Sequence, residues 1–345
     1  MVPKISIIIV SLNSERTLHS CLSYIKEQTY SGIDEILLID GGSTDKTLDI
    51  AKRFDLPIKI IHGGYPNNQE ARRAIGIEKA KNDICAFIDT DNYIVQKTWF
   101  KNMIRPLLED ETIAASQTLR YAVPKNTTIL NRYFGLFGAA DPVAYYLGKA
   151  DRLSWAFERW NLLGAVIYEN KNYLTVEFDV DNYPTLGCNG IVFRKSTLLK
   201  ANWGLPENYF HTDVFVDIAK KGYHRFAIVK NEVFHNTADN FINFFEKRKK
   251  YMRQHYQNLF LKRRYRIFNS KKPADILKLF FFIIYSLTII EPLYQSARGY
   301  LKKKDLAWFI HPLVCLGIIF VYGQITVHNF VTNLINKKDI LRLIK

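Results

Sequence analysis

The first third of the chain alternates short apolar runs with amphipathic stretches. Residues 5–10 (ISIIIV) form an unbroken, mostly β-branched run, the pattern of a strand buried on both faces. Residues 15–28 place Leu18, Cys21, Leu22 and Ile25 on one helical face. The alternation continues with a strand at 36–39 and a helix at 44–54, with Leu48 and Ala51 inward. A strand at 58–61, a helix at 69–81 and a strand at 84–88 follow. Strands and helices at these intervals predict a parallel sheet with right-handed crossovers, which binds ligands at the carboxyl ends of its strands. Residues 120–185 are less regular and rich in aromatics. Residues 194–201 and 214–221 read as helices, and 225–229 as a strand. Two apolar stretches close the chain, at about 276–294 and 306–327. There is no internal repeat and no low-complexity linker.

Charge divides the chain. Residues 1–120 carry 15 Lys and Arg against 16 Asp and Glu, residues 121–240 carry 13 against 12, and residues 241–345 carry 20 against 5. The whole excess of +15 therefore sits in the last part. A basic tail suits nucleic acid or an anionic membrane. The long apolar stretches favour the membrane, since a soluble nucleic-acid binder has no use for them. The four cysteines are scattered and form no C-x-x-C pair, which argues against a zinc or thioredoxin-like site. The apolar run at 5–10 is too short for a signal-peptide core, so the catalytic part is expected in the cytoplasm.

Two acidic clusters end predicted strands. Asp40-Gly41-Gly42-Ser43-Thr44-Asp45 follows the second strand. Its carboxylate can accept hydrogen bonds from a base or ribose; a turn leading into a helix cap explains the same residues equally well. Asp89-Thr90-Asp91 follows the fourth strand and can hold a hard divalent cation that bridges to a diphosphate. Asp179-Val180-Asp181 has the same pattern but lies in the irregular region, so position favours the first.

Together these pieces resemble the family-2 glycosyltransferases of GT-A fold. The resemblance rests on 5–13 (ISIIIVSLN), 40–45 (DGGSTD), Ala71-Arg72 with Gly76-Ile77 and Ala80-Lys81, and 87–91 (FIDTD), in matching order and spacing. Residues 187–194 (GCNGIVFR) look like the family's acceptor-side segment. His211-Thr212-Asp213-Val214 looks like the segment carrying the catalytic base, with Thr212 where an acidic residue is common. The resemblance spans about residues 4–240. It implies an α/β GT-A, Rossmann-like domain over 1–240, with nucleotide-sugar binding in 1–120 and the acceptor side in 121–240. A basic, apolar, helical membrane-associated region would occupy 241–345.

Carried over residue by residue, Asp40 recognises the nucleotide base, and Ser11 and Asn13 line the same pocket. Arg72 sits near nucleotide or diphosphate, and Asn189 contacts substrate. Asp91 ligates a divalent metal, manganese or magnesium, with Asp89 contacting metal or ribose. His235 closes the site around metal or diphosphate, although a lone histidine is more often structural. Asp213 is the general base. The implied reaction takes sugar from a nucleotide-diphosphate donor, with inversion, to a hydroxyl of a lipid-linked or cell-surface glycan. The alternative acceptor is a polyprenyl phosphate, which needs no base. Residues 131–152 suit an acceptor cleft or a surface helical insertion.

For the tail, helices lying in the membrane interface keep every basic cluster on the anionic, cytoplasmic face. A two-span hairpin would move Arg298 and Lys302-Lys303-Lys304 to the other side, against the positive-inside tendency. A buried helical subdomain is the third reading. The partners expected are thus a nucleotide sugar, a lipid-linked or glycan acceptor and an anionic membrane surface, without nucleic acid. A nucleotide-sugar pyrophosphorylase would need a glycine-rich loop after the first strand, where Ser11-Leu12-Asn13-Ser14 stands instead. An inactive scaffold is at odds with the presence of Asp40, Asp91 and Asp213.

Overall fold

The computed structural model describes residues 2–253 and 263–343. Lys262 and Lys345, two of the basic residues of the tail, lie outside the described residues. The alternating front half comprises β1 (Ile5–Ser11), α1 (Glu15–Lys26), β2 (Ile33–Asp40), α2 (Thr47–Lys52), β3 (Ile58–His62), α3 (Gln69–Lys79) and β4 (Ile84–Phe87). A two-residue strand β5 (Asn92–Tyr93), α4 (Trp99–Glu109) and β6 (Ile113–Tyr121) follow. The aromatic region supplies α5 (Ile129–Phe137), α6 (Pro142–Tyr146), β7 (Ala165–Glu169) and β8 (Tyr173–Glu177). Then come β9 (Ile191–Arg194), α7 (Lys195–Leu199), α8 (His211–Ala219) and β10 (Arg225–His235). The tail holds α9 (Phe241–Tyr251), α10 (Pro273–Thr288), α11 (Ile290–Lys302) and α12 (His311–Leu343).

One mixed sheet runs in the order β3-β2-β1-β4-β9-β6-β10-β8-β7, with β5 attached to β10. The first four strands are parallel, as the alternation predicts. β9 inserts antiparallel between β4 and β6. Every residue of β1 is buried, which explains its unbroken apolar run. α3 lies so close to β1 that a Cβ on Gly76 would stand 2.4 Å from Ile8 Cγ2. Because β1, β2 and β4 are parallel, their carboxyl ends share one edge of the sheet, where both acidic clusters follow.

The tail has two faces. Phe282, Trp308, Val314, Cys315 and Ile318 are buried in the same apolar cluster as Leu130, Tyr133 and Phe137 of α5. Their neighbours Phe280, Leu287, Ile290, Leu306 and Phe320 are exposed. The first apolar stretch is broken at Ile289, whose φ of 57° ends α10, and α11 leaves at 84°. The stretch Leu306–Thr332 is long and apolar enough to cross a membrane. His311, which interrupts the second apolar stretch in sequence, is fully buried against α5 and α6. Its ring nitrogens face the hydroxyls of Tyr133 at 2.8 Å and Tyr146 at 3.0 Å. The tail is therefore partly a structural layer of the protein. A Cβ on Gly299 of α11 would stand 2.4 Å from the buried Trp308 ring. Gly299→Ala should cost about 1–3 kcal/mol through overpacking, read as a lower Tm in a thermal melt.

Candidate active site

The parallel pairing of β1 and β2 sets Ser11 opposite Asp40 at the strand ends. Ser11 Oγ donates to Asp40 Oδ1 at 2.9 Å, and Ser43 Oγ does so at 2.5 Å. The backbone N–H groups of Gly42 and Ser43 both donate to Oδ2 at 2.8 Å. Burial pushes the Asp40 carboxyl up, but the donors from Ser43, Ser11 and Gly42 outweigh it and hold it below its ordinary value. Gly42 has φ +98°, a conformation suited to glycine. Asn13 staples the two loops together: Thr44 N donates to its Oδ1 at 2.8 Å, and its own N–H donates to Ser43 Oγ at 2.9 Å. The turn reading and the ligand reading of this motif thus use the same residues. Arg72 reaches in from α3 and lies against Gly41, where a Cβ would meet its Nη1 at 2.6 Å. Its Nη1 donates to the Tyr65 carbonyl at 2.6 Å, while its buried Nε finds no partner among the described residues.

At the end of β4 the two aspartates part company. Both Asp89 oxygens accept from Arg73 Nη2, at 2.8 and 2.7 Å. Arg73 is almost fully buried on α3 and also pairs with Glu70. Glu70 Oε2 in turn lies 3.0 Å from both the N–H and Nδ1 of His211, at the start of α8. Burial pushes the Glu70 carboxyl up, but Arg73 and His211 together pull it far below the ordinary range. A charge chain, Asp89–Arg73–Glu70–His211, thus ties β4 to α3 and α8.

Asp91 faces the other way. The pairing of β5 with β10 sets His235 opposite Asn92, and this brings His235 Nε2 within 3.5 Å of Asp91 Oδ2. Both side chains stay partly open, at 28% for Asp91 and 19% for His235. Burial raises the Asp91 carboxyl, but the charges of His235 and Lys247 outweigh it and lower it. Behind His235, Asn189 Nδ2 donates to the Tyr121 hydroxyl at 3.3 Å, and Tyr121 donates to Asp151 Oδ2 at 3.2 Å. Arg152, fully buried, donates to the Asn189 carbonyl at 2.7 Å and to Asp151 at 3.1 Å. Asn189 is thereby held at the back of the same cleft. Asp213 stands apart, in the first turn of α8. Its carboxylate is 2% exposed and pairs with Arg263 of the tail.

Residues 6–161 match the family model described as glycosyl transferase family 2. Residues 6–161 form a family-2 glycosyltransferase domain. The chain is 31% identical over 142 residues to the Escherichia coli UDP-Glc:alpha-D-GlcNAc-diphosphoundecaprenol beta-1,3-glucosyltransferase WfaP, a match covering 41% of this chain and 53% of that protein. It is 30% identical over 108 residues to glycosyltransferase GlyG of Streptococcus pneumoniae, covering 30% and 34% of the two. The chain spans about a third to a half of the length of these curated relatives. A solved mannosyltransferase, PcManGT from Pyrobaculum calidifontis in complex with GDP-Man and Mn2+, superposes with a TM-score of 0.50 at 15% identity, covering 93% of this chain and 87% of that one. That likeness shows the GT-A fold.

Whether this domain can hold a metal turns on which ligands are free. Adjacent ligands at about 2.1 Å from an octahedral cation are about 3 Å apart, so the Asp91–His235 pair fits a divalent ion with little movement. Asp89 does not fit as well, because Arg73 holds both its oxygens. Glu70, Cys188 and His211 also bring their ligand atoms within 4.8 Å of one another. They suit a cation poorly: Arg73 already neutralises Glu70, and burial raises the Cys188 thiol well above its ordinary value. Asp179 and Asp181 are exposed, and Asp179 Oδ1 accepts from Asp181 N at 3.0 Å in a local turn. Sequence reasoning missed Glu70, Arg73 and His211. Arg73 adjoins Arg72 in sequence, yet only the roll of α3 separates the partner of Asp89 from the neighbour of Asp40.

Proposed function

We propose that this chain is an inverting glycosyltransferase that moves a sugar from a nucleotide-diphosphate donor to a hydroxyl of a lipid-linked or cell-surface glycan at the cytoplasmic membrane face. The observation that carries the reading is the partly open Asp91–His235 pair, on the same sheet as the Asp40 loop against which Arg72 packs. Asp40, Ser11 and Asn13 hold the base, and Arg72 offers its unpartnered Nε towards nucleotide or diphosphate. Asp91 and His235 hold the divalent cation, and Asp89, fixed by Arg73, faces metal or ribose. A bound cation would neutralise charge on the departing nucleoside diphosphate. Asn189 orients the substrate from the back of the cleft. Asp213 takes the proton from the acceptor hydroxyl as its oxygen bonds to the anomeric carbon and the bond to the diphosphate breaks.

The tail supports the membrane part of the reading. The exposed apolar side chains of α10 to α12 accompany the 20 Lys and Arg of residues 241–345, a combination suited to an anionic bilayer. WfaP is a glucosyltransferase of alpha-D-GlcNAc-diphosphoundecaprenol, which favours a lipid-linked acceptor here. A screen of nucleotide sugars with manganese, read as thermal stabilisation, tests donor binding. No stabilisation by any of them would count against the reading. Asp213→Asn keeps the side-chain shape and removes proton acceptance. It should slow transfer by about a hundredfold while sparing donor affinity. A near wild-type rate would favour the alternative, a polyprenyl-phosphate acceptor.

A further inference from the structure

Asp213 is the residue that the proposed reaction needs open, and the structure holds it closed. Arg263 Nε donates to both of its oxygens, at 3.2 and 3.0 Å. The N–H of Tyr265 donates to Oδ1 at 2.7 Å. Arg263 also donates to Thr212 Oγ1 at 2.7 Å, and its guanidinium lies 3.6 Å from the centre of the Phe210 ring. Next to it, Arg264 pairs with Asp217 at 2.6 Å, and the Tyr265 hydroxyl lies 2.8 Å from Thr185 Oγ1. No acceptor hydroxyl can approach a carboxylate buried in this way.

The segment that covers Asp213 is wired to the apolar tail. Lys149 Nζ donates both to the Arg266 carbonyl at 3.3 Å and to Asp275 Oδ2 at 3.2 Å. Asp275, in the first turn of α10, also accepts from the Asn269 N–H at 2.9 Å. The outward side of α10 exposes Leu277, Phe280, Phe281 and Leu287. A shift of α10 towards an apolar phase therefore pulls on the chain that covers Asp213.

We propose that residues 263–265 form an autoinhibitory strap, which entry of α10 into an anionic bilayer draws off Asp213. The inference rests on the reading of Asp213 as the base and of the tail as membrane-docking. It amounts to a two-state equilibrium: the strap closes the site in water, and the bilayer favours the open state by burying α10. A closed base off the membrane would spare the donor from reaction with water where no lipid-linked acceptor is present.

The test uses the full chain, diluted out of detergent, with and without vesicles of phosphatidylcholine and phosphatidylglycerol. Two readouts follow the strap directly: hydrogen exchange at the Tyr265 amide, and carbodiimide labelling of the Asp213 carboxyl. With vesicles, both should speed up by about tenfold or more as the strap opens. Arg263→Gln should be fast in both readouts without vesicles, with a thermal melt to show that it folds. Phe280→Ser/Phe281→Ser should remain slow when vesicles are added. Protein that sediments with vesicles while Tyr265 and Asp213 stay protected would overturn the strap alone. Protein that does not sediment with vesicles would overturn the membrane reading and the strap with it.

Discussion

Asp91→Ala is expected to abolish transfer and to remove the manganese dependence of nucleotide binding while the protein stays folded. The carboxylate is partly exposed, and among the described residues its one ion pair is with the partly exposed His235, so its loss leaves no fully buried charge without a partner. The loss in turnover should be at least about a thousandfold, the scale of removing a leading electrostatic contributor at a transition state. Excess chelator should produce the same loss in the wild type. His235→Ala should weaken cation binding less, because it removes a neutral ligand rather than a charge. Asp179→Ala removes a carboxylate with the same D-x-D spacing but in an exposed turn, and should leave transfer unchanged. Full activity of Asp91→Ala in manganese would remove the aspartate from the mechanism.

Arg73→Met should be the most destabilising change near the site. It leaves Glu70 and Asp89 without their shared cation, and stranding buried charges in this way costs about 3–5 kcal/mol. In a chain of this size that corresponds to a fall in Tm of roughly 4–7 °C. The pH dependence follows from Glu70. Burial raises its pKa, but Arg73 and His211 hold it far below the ordinary 4.5, so its contribution is present above that value and is lost as pH falls through the folded value. The gap between wild type and Arg73→Met should therefore be widest near neutral pH and narrow below pH 4.5. Arg72→Met is the matched contrast. Its guanidinium contacts carbonyls rather than a buried carboxylate, so it should lose nucleotide affinity more than stability. Equal melting temperatures for wild type and Arg73→Met at neutral pH would show that the charge chain contributes nothing.

The parallel half of the sheet was legible because buried parallel strands demand continuous apolar runs, and 5–10, 36–39 and 84–88 supply them. The loop at 40–45 was legible for the same reason, since it follows such a strand. β9 was not read as a strand, because four residues (Ile191–Arg194) carry too little periodicity to separate strand from helix. β5 is shorter still, and it is what brings His235 to Asp91. His235 was therefore found through the family resemblance and not through any local pattern. The charge chain through Arg73 was hidden because its members come from β4, α3 and α8 and meet only in the folded protein. The contact of Arg263 with Asp213 spans 50 residues and joins the tail to α8, which no window along the sequence can reveal. The tail's double character was hidden for a similar reason. Apolar residues on all sides of α10 do not say which of them face α5 and α6 and which face outward.

Binding of manganese in the presence of a nucleoside diphosphate, followed by the paramagnetic signal of the free ion, tests the central claim most directly. Wild type should remove free manganese only when nucleotide is present or should bind it more tightly then. Asp91→Ala should leave the free-ion signal at the level of protein-free buffer, and Asp40→Ala should remove the effect of the nucleotide. Undiminished, nucleotide-dependent binding by Asp91→Ala would place the cation elsewhere and contradict the account.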